Sequence, residues 1–174
     1  PASTYIVGLL LTGPALFNYA EAEFELIGSG ISLSSNSGAV GAPVNVSGTG
    51  FSPNLIVTFT FADQPVSASA NTTSTGAFSA RFIVPEIAEG TYPVTPIDSL
   101  GRTYDPVKFT VQPSVDLISP KSGDYTSLLT ISAHGFAAGD RSISIYLGAM
   151  KLALVVPSNE RGSLAAQRIR PGEI

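Results

Sequence analysis

The sequence predicts an all-β protein made of tandem β-sandwich repeats of about 85 residues, with an incomplete repeat at each end. Three observations lead to this prediction: internal similarity at spacings of 85 to 87 residues, short segments of alternating apolar residues, and turn residues between them. The composition agrees with it, because 22 serines, 14 threonines, 17 glycines and 13 prolines favour short strands joined by turns. Only 13% of the residues are charged, whereas about 25% is usual in soluble domains.

Composition also argues against several classes of function. The chain has no cysteine and a single histidine, which excludes disulfides and cysteine-ligated metal centres and disfavours a multi-histidine zinc site. A net charge of −4, with nine lysines and arginines, disfavours nucleic-acid binding because phosphate contacts need a basic surface. A hydrophobic fraction of 44% argues against disorder. We therefore expect no cofactor, no metal ion and no nucleic-acid partner.

The first element in the chain is its most apolar stretch, residues 5–16. Twelve residues are too few for a membrane-spanning helix, which needs about 20, so we expect no membrane span here. Pro14 and the β-branched Ile6 and Val7 disfavour a pilin-like hydrophobic helix. The stretch therefore predicts a pair of buried strands around a turn at Gly13 and Pro14. No basic segment precedes it, as one would in a secretory signal peptide.

An internal repeat defines the middle of the chain. The Gly50-Phe51 pair returns as Gly135-Phe136 after 85 residues. Apolar side chains alternate with smaller or polar ones around each pair, which is the pattern of half-buried strands. Residues 31–112 form the one complete repeat in this sequence.

Alternation and turn residues indicate the strands of the complete repeat. Val44 and Val46 flank a polar residue, as expected for one strand with a buried and an exposed face. Gly76 lies in a polar turn segment and has a counterpart in Gly162, 86 residues later. About seven short strands in this length match an immunoglobulin-like sandwich without its usual cysteine and tryptophan residues.

The two ends of the chain resemble the missing parts of the same repeat. Tyr5 lies 87 residues before Tyr92 in a similar segment, and Phe24 lies 85 residues before Phe109. Joining the last residue to the first continues the pattern, because 174 residues equal two periods of 87. We therefore predict three segments: donor strands that end a repeat at 1–30, a complete repeat at 31–113, and the first strands of a further repeat at 114–174.

A family resemblance rests on two motifs. Residues 118–123 contain a Ser-Pro-x-x-Gly stretch, and residues 129–136 form an alternating strand that ends in Gly-Phe. Together they resemble the opening of an IPT/TIG domain. Residues 44–51 match that strand more closely, although Ser35 and Asn36 stand where the family has Ser-Pro. The resemblance implies tandem IPT/TIG-like, immunoglobulin-like repeats of a microbial cell-surface or extracellular filament protein.

The incomplete repeats predict how the protein works. A sandwich without its last strands leaves core residues and a strand edge uncovered. We therefore expect a structural subunit of an extracellular filament, pilus-like fibre or surface array, whose N-terminal strands complete the C-terminal segment of a neighbour. Its partners are identical subunits in a homopolymer or flanking repeats of the same chain. The expected interface residues are Tyr5, Ile6, Val7, Leu9, Leu10, Leu11, Leu16, Phe17, Phe24 and Leu26.

An alternative function is a tandem immunoglobulin-like binding or adhesion module of a larger secreted surface protein. Its sites would lie in loops such as residues 68–76 or 97–104, which lack an aromatic cluster suited to stacking a sugar. A stand-alone enzyme is disfavoured, because His134 is the single histidine and no Gly-x-Ser-x-Gly motif is present. We expect His134 to be a turn or surface residue and assign no catalytic residue.

Two Asn-x-Ser/Thr motifs make the protein a candidate glycoprotein. Asn71 lies in a polar run typical of an exposed loop, and it is the stronger candidate. Asn45 alternates with two valines, which places it on the outer face of a strand. Glycosylation of either site requires a secreted protein, in agreement with an extracellular or cell-surface location.

Two groups of acidic residues have a structural and a functional interpretation. Glu21, Glu23 and Glu25 alternate along one segment, which favours a solvated strand edge over a cation site. Asp98 and Asp105 flank a turn and form a weaker candidate for calcium binding through loop oxygens.

Overall fold

The structure is a computed structural model that describes residues 3–11, 18–26, 28–124, 126–139, 143–156 and 158–170. In these ranges every element of regular secondary structure is a β-strand, so the all-β prediction is confirmed. No helix within them is long and apolar enough to cross a membrane. The strands, numbered in chain order, are β1 (Ser3–Leu11), β2 (Asn18–Leu26), β3 (Gly30–Leu33), β4 (Ser37–Ala39), β5 (Pro43–Thr49), β6 (Ile56–Phe61), β7 (Gln64–Asn71), β8 (Phe78–Ile83), β9 (Gly90–Asp98), β10 (Val107–Gln112), β11 (Ser114–Ser119), β12 (Leu129–His134), β13 (Ile143–Leu147), β14 (Met150–Val156) and β15 (Leu164–Ile169).

Strands β3 to β10 form two facing sheets, which we call the central unit. One sheet has the order β3-β5-β8, and the other has the order β4-β10-β9-β6-β7. Neighbouring strands are antiparallel except β4 and β10, which are parallel. Burial alternates along β5 and β6, so each strand has one face toward the space between the sheets and one face toward solvent.

A phenylalanine-rich core holds the two sheets of the central unit together. Phe61 on β6 packs its ring centroid 6.0 Å from that of Phe82 on β8 and 5.7 Å from that of Phe109 on β10. Phe59 and Val46 are fully buried in the same cluster. Each such side chain contributes about 1.5–3 kcal/mol when it is removed from water. This arrangement of two sheets around a shared core is that of a β-sandwich.

The chain enters and leaves the central unit at opposite ends. Gly30, at the entry, lies beside Thr49, the last residue of β5. Gln112, at the exit, lies beside Ala39, whose carbonyl accepts a hydrogen bond from Ala42 just before β5 begins. A single residue separates β10 from β11, so the next strands begin directly at the exit.

Strands β11 to β15 form the C-terminal unit. Its sheets are β11-β12-β15 and the hairpin β13-β14. Ile131 and Ile169 form one small buried cluster, Ala133 and Leu164 form another, and Ile145 on β13 packs against both. The β13-β14 hairpin therefore faces the three-stranded sheet, but the buried clusters are much smaller than the core of the central unit.

Strands β1 and β2 form the N-terminal hairpin, an antiparallel pair that makes no sheet with the other described strands. Tyr5, Ile6 and Val7 are 52%, 65% and 52% exposed, so successive side chains on both faces of β1 are in solvent. The prediction of buried strands is therefore wrong for Tyr5, Ile6 and Val7 in the single chain, and the predicted turn at Gly13 and Pro14 lies outside the described residues. The second strand begins at Asn18, and a two-stranded ribbon has no second layer to cover it.

Candidate functional site

Strand β13 carries apolar residues that the C-terminal unit leaves partly uncovered. It corresponds to β6 at an offset of 86 residues, and both hairpins have a β-bulge at the same place, after Thr58 in β6 and after Ser144 in β13. Phe61 at the end of β6 is 1% exposed, whereas its counterpart Leu147 is 44% exposed. Equivalent strand positions are therefore core in one unit and surface in the other.

The neighbours of the two strands explain this difference. β6 pairs with β7 on one edge and with β9 on the other, and β9 pairs in turn with β10. Among the described residues β13 pairs with β14 alone, so its second edge presents unpaired backbone groups. An apolar groove of about 220 Å³ opens between the two sheets of this unit, and its lining includes Val115, Ile118, Ile131, Ala133, Ile145 and Leu164.

The N-terminal hairpin has the strand register of the β9-β10 pair. Tyr5 lies opposite Phe24 in the hairpin, and Tyr92 lies opposite Phe109 in the central unit. Strands β1 and β9 each contain nine residues. The hairpin thus presents the same two-strand arrangement that covers β6 in the central unit, but no other described strand lies beside it.

The ten residues predicted for the interface fall into three groups. Three are exposed on β1: Tyr5, Ile6 and Val7. Five are placed by their backbone in β1 or β2: Leu9, Leu10, Leu11, Phe24 and Leu26. Two lie outside the described residues: Leu16 and Phe17.

A glycine turn is built in the same way in the central and C-terminal units. Gly76 and Gly162 have φ angles of +73° and +71°, and a Cβ atom on either would lie 1.9 Å from the carbonyl oxygen of Phe51 or Phe136. The same phenylalanines donate their N–H groups to the two glycine carbonyls, at 3.1 Å and 2.9 Å. Only glycine fits both the backbone conformation and the close approach.

A polar network joins the central unit to the C-terminal unit. Glu86, in the loop after β8, accepts a hydrogen bond from the Ser163 hydroxyl just before β15. Nδ1 of His134 lies 2.9 Å from the same hydroxyl oxygen, and Nε2 lies 3.4 Å from a carboxylate oxygen of Asp116. The backbone adds a contact, because Glu89 N–H donates to the Phe136 carbonyl at 3.1 Å.

Hydrogen-bond accounting gives each member of this network a role. A serine hydroxyl has one proton, and Ser163 donates it to the Glu86 carboxylate. His134 Nδ1 is therefore the donor to the Ser163 oxygen. In a Ser-His-Asp triad the serine donates its proton to the imidazole, so this arrangement differs from a triad. Its hydrogen bonds link the central unit to the C-terminal unit. The sequence placed His134 in a turn or on the surface and did not anticipate these partners.

Asp98 forms a second polar network, inside the central unit. Its buried carboxylate accepts hydrogen bonds from Arg102 Nε at 2.7 Å, the Tyr104 hydroxyl at 2.8 Å and the Leu100 N–H at 2.9 Å. Burial by itself would raise the pKa of Asp98, but these hydrogen bonds, led by that of Tyr104, lower the pKa from 3.8 to about 2. With its oxygens occupied in this way, Asp98 does not form the calcium site considered with Asp105.

The remaining polar candidates lie on the surface. Asn45 is exposed on β5, and Asn71 is exposed at the end of β7, where it pairs with Ile56 instead of lying in a loop. Glu21 and Glu23 are exposed on β2. Within the described ranges, no group of three or more histidine, aspartate or glutamate side chains is placed to hold a metal ion.

Comparison with known proteins returns no match, either among protein-family models or among curated sequences.

Proposed function

We propose that the protein is a structural subunit that polymerises head to tail by completing an immunoglobulin-like sandwich in its neighbour. In this proposal the central unit is one complete IPT/TIG-like repeat, and the C-terminal unit is a second repeat without its last two strands. The N-terminal hairpin of another copy supplies those strands. The observation that carries the proposal is the shared register, in which Tyr5 opposite Phe24 reproduces Tyr92 opposite Phe109.

The points at which the chain enters and leaves the central unit favour a second copy as the donor over the chain's own hairpin. The chain enters the central unit beside Thr49 and leaves it beside Ala39, at the two ends of β5. The chain's own hairpin would have to pass from one end of the central unit to the other, and the nine-residue strand β9 of that unit is about 30 Å long. Since β2 ends at Leu26 and β3 begins at Gly30, few residues are left to carry the hairpin around the central unit.

Burial and strand pairing provide the driving force for this contact. The donor hairpin exposes Tyr5 and Val7, and the acceptor unit exposes Leu147 on a strand edge with which no other described strand pairs. Each large apolar side chain that becomes fully buried contributes about 1.5–3 kcal/mol before association entropy is subtracted. Donor and acceptor surfaces differ, so the contact is heterologous, a type that can continue from copy to copy as an open fibre.

The proposed setting is extracellular or on the cell surface, as part of a filament, pilus-like fibre or surface array. A low charge density and many hydroxyl side chains suit a durable extracellular polymer. The exposed Asn71 and Asn45 are the proposed glycan attachment sites. Identical subunits are the proposed partners. Flanking repeats in one continuous chain would produce the same folded path.

Removing the donor hairpin tests the proposal. The full chain is unfolded in guanidinium, diluted into buffer, and followed by light scattering and electron microscopy. We expect polymers from the full chain and from Leu100→Ser, which removes an exposed apolar side chain far along the sequence from the hairpin. We expect none from a variant that lacks residues 1–28, which removes the donor strands, or from Val7→Asp, which places a carboxylate where the contact would bury an apolar side chain.

The outcomes separate the two candidate functions. Normal polymers from the truncated variant would refute polymerisation by strand insertion. A full chain that stays monomeric at high concentration would instead favour the tandem binding or adhesion module. For native material, the intact mass after complete unfolding distinguishes separate 174-residue subunits from one continuous chain.

A further inference from the structure

The central unit contains an internal template for the proposed contact between copies. We propose that β1 of one copy pairs antiparallel with β13 of the next in a single register, in which Gly8 lies opposite Tyr146. This inference rests on the proposed function and specifies the residues that meet in it.

The register follows from the pairing of β6 with β9. In the central unit Thr60 lies opposite Thr95. β13 follows β6 by 86 residues and β1 precedes β9 by 87, so the corresponding pair between copies is Tyr146 and Gly8. By the same transfer, the β6–β9 pairing places Leu147 opposite Val7.

Two local features support the offsets of 86 residues between β6 and β13 and of 87 residues between β1 and β9. The β6-β7 and β13-β14 hairpins have their bulges and their turns at equivalent positions, with Phe61 opposite Gln64 in one and Leu147 opposite Met150 in the other. In the N-terminal hairpin, Tyr5 occupies the position that Tyr92 holds in β9. A different offset would require an additional bulge in one of these strands.

Tyr146 and Gly8 form a pair that distinguishes the correct register from its neighbours. Tyr146 is 59% exposed and alternates with Ile145 and Leu147, so it lies on the outer face of β13. A glycine inside a strand leaves a gap, and a large cross-strand aromatic side chain covers it. A slip of two residues places Tyr146 opposite Ile6 or Leu10, and a slip of one moves every side chain to the wrong face.

Disulfide trapping tests the register in the full chain. The protein has no cysteine, so two introduced cysteines are its only thiols. Ser144 corresponds to Thr58, which lies opposite Ile97, so its expected partner is Leu10. We expect Leu10→Cys with Ser144→Cys to give covalent oligomers under oxidising assembly, because directly opposite Cβ atoms lie about 4.5–5.5 Å apart. The matched control, Ile6→Cys with Ser144→Cys, separates the thiols by about four residues, or about 13 Å, and stays uncrosslinked.

The outcomes of trapping separate the register from the proposed function. Cross-linking of Gly8→Cys with Ser144→Cys, in place of the expected pair, would show a two-residue shift and overturn the register while leaving strand insertion standing. Polymers that cross-link with none of the pairs also overturn it. If the cysteine-free chain forms no polymer, the proposed function and the register fail together.

A compensating change tests the role of the Tyr146–Gly8 pair itself. In the Leu10→Cys, Ser144→Cys background, Tyr146→Thr leaves Gly8 uncovered, and we expect the yield of in-register disulfide to fall by at most about fivefold, the upper end of the range for one cross-strand pair. Adding Gly8→Thr rebuilds the Thr60–Thr95 pair of the central unit, and we expect the yield to recover. An unchanged yield in Tyr146→Thr would show that this pair does not set the register.

Discussion

The central and C-terminal units share their local geometry but differ in how far their cores are covered. The turns at Gly76 and Gly162 agree to 2° in φ, and the bulges after Thr58 and Ser144 occupy equivalent positions. Phe61 is nevertheless buried, whereas Leu147 is 44% exposed. Turns and bulges form from contacts within a hairpin or between adjacent loops. Burial depends on whether another pair of strands lies on the far edge, and this is where the units differ.

The largest predicted effect concerns the core positions of β6 and β13. Phe59→Ala removes a fully buried ring, and we expect it to cost the central unit about 3–5 kcal/mol of unfolding free energy. The equivalent change, Ile145→Ala, is expected to cost well under that in the unassembled chain, because Ile145 is only half-buried. Denaturant unfolding with hydrogen exchange of β6 and β13 measures both. Equal losses of unfolding free energy in Phe59→Ala and Ile145→Ala, measured in the unassembled chain, would contradict the difference in core coverage between the two units.

The second prediction concerns the shared glycine turn. Gly76→Ala and Gly162→Ala each place a Cβ against a backbone carbonyl at positive φ, and we expect each unit to lose at least about 1–3 kcal/mol. Gly41→Ala is the matched control, because Gly41 has φ +80° but no atom within 4 Å of its Cβ position. Unfolding curves that show the three variants to be equally stable would disprove the role of the close approach.

The third prediction concerns the Asp98 network, which belongs to the central unit. Its folded pKa of about 2 lies below the ordinary 3.8, so the ionised carboxylate stabilises the folded state above about pH 4. This contribution is lost as the pH falls toward 2 and the folded carboxylate is protonated. We expect the melting temperature of Asp98→Asn to depend less on pH between 4 and 2 than that of the parent. Asp105→Asn, at an exposed position, should behave like the parent.

The smallest predicted effect concerns the contact between the two units. Glu86→Gln and His134→Gln each weaken the network with Ser163, and a double-mutant cycle should give a coupling of about 0.2–1 kcal/mol, because both side chains are partly exposed. Thermal unfolding of the two single variants and the double variant measures it. Glu160→Gln, exposed in the C-terminal unit, is the control and should show no coupling to His134. Strict additivity at Glu86 and His134 would indicate that the backbone contact alone joins the units.

The polar networks show where sequence reasoning reached its limit. Ser163 lies 77 residues from Glu86 and 29 from His134, and no spacing rule connects residues that meet only when two units pack together. The Asp98 network was easier to predict from the sequence, because its donors Arg102 and Tyr104 lie within six residues of Asp98. Hydrogen-bond donors in the same tight turn occupy the oxygens of this buried aspartate, so they compete with a cation for them.

The sequence by itself determined the all-β class, the turn glycines and the spacing of similar segments. These features depend on residues a few positions apart or on similarity that is visible along the chain. Only the tertiary structure decided which apolar residues are buried, because burial depends on the strand that lies across the next edge. In the described chain β6 has β9 on that edge and becomes core, while β13 has no strand there and leaves Leu147 exposed.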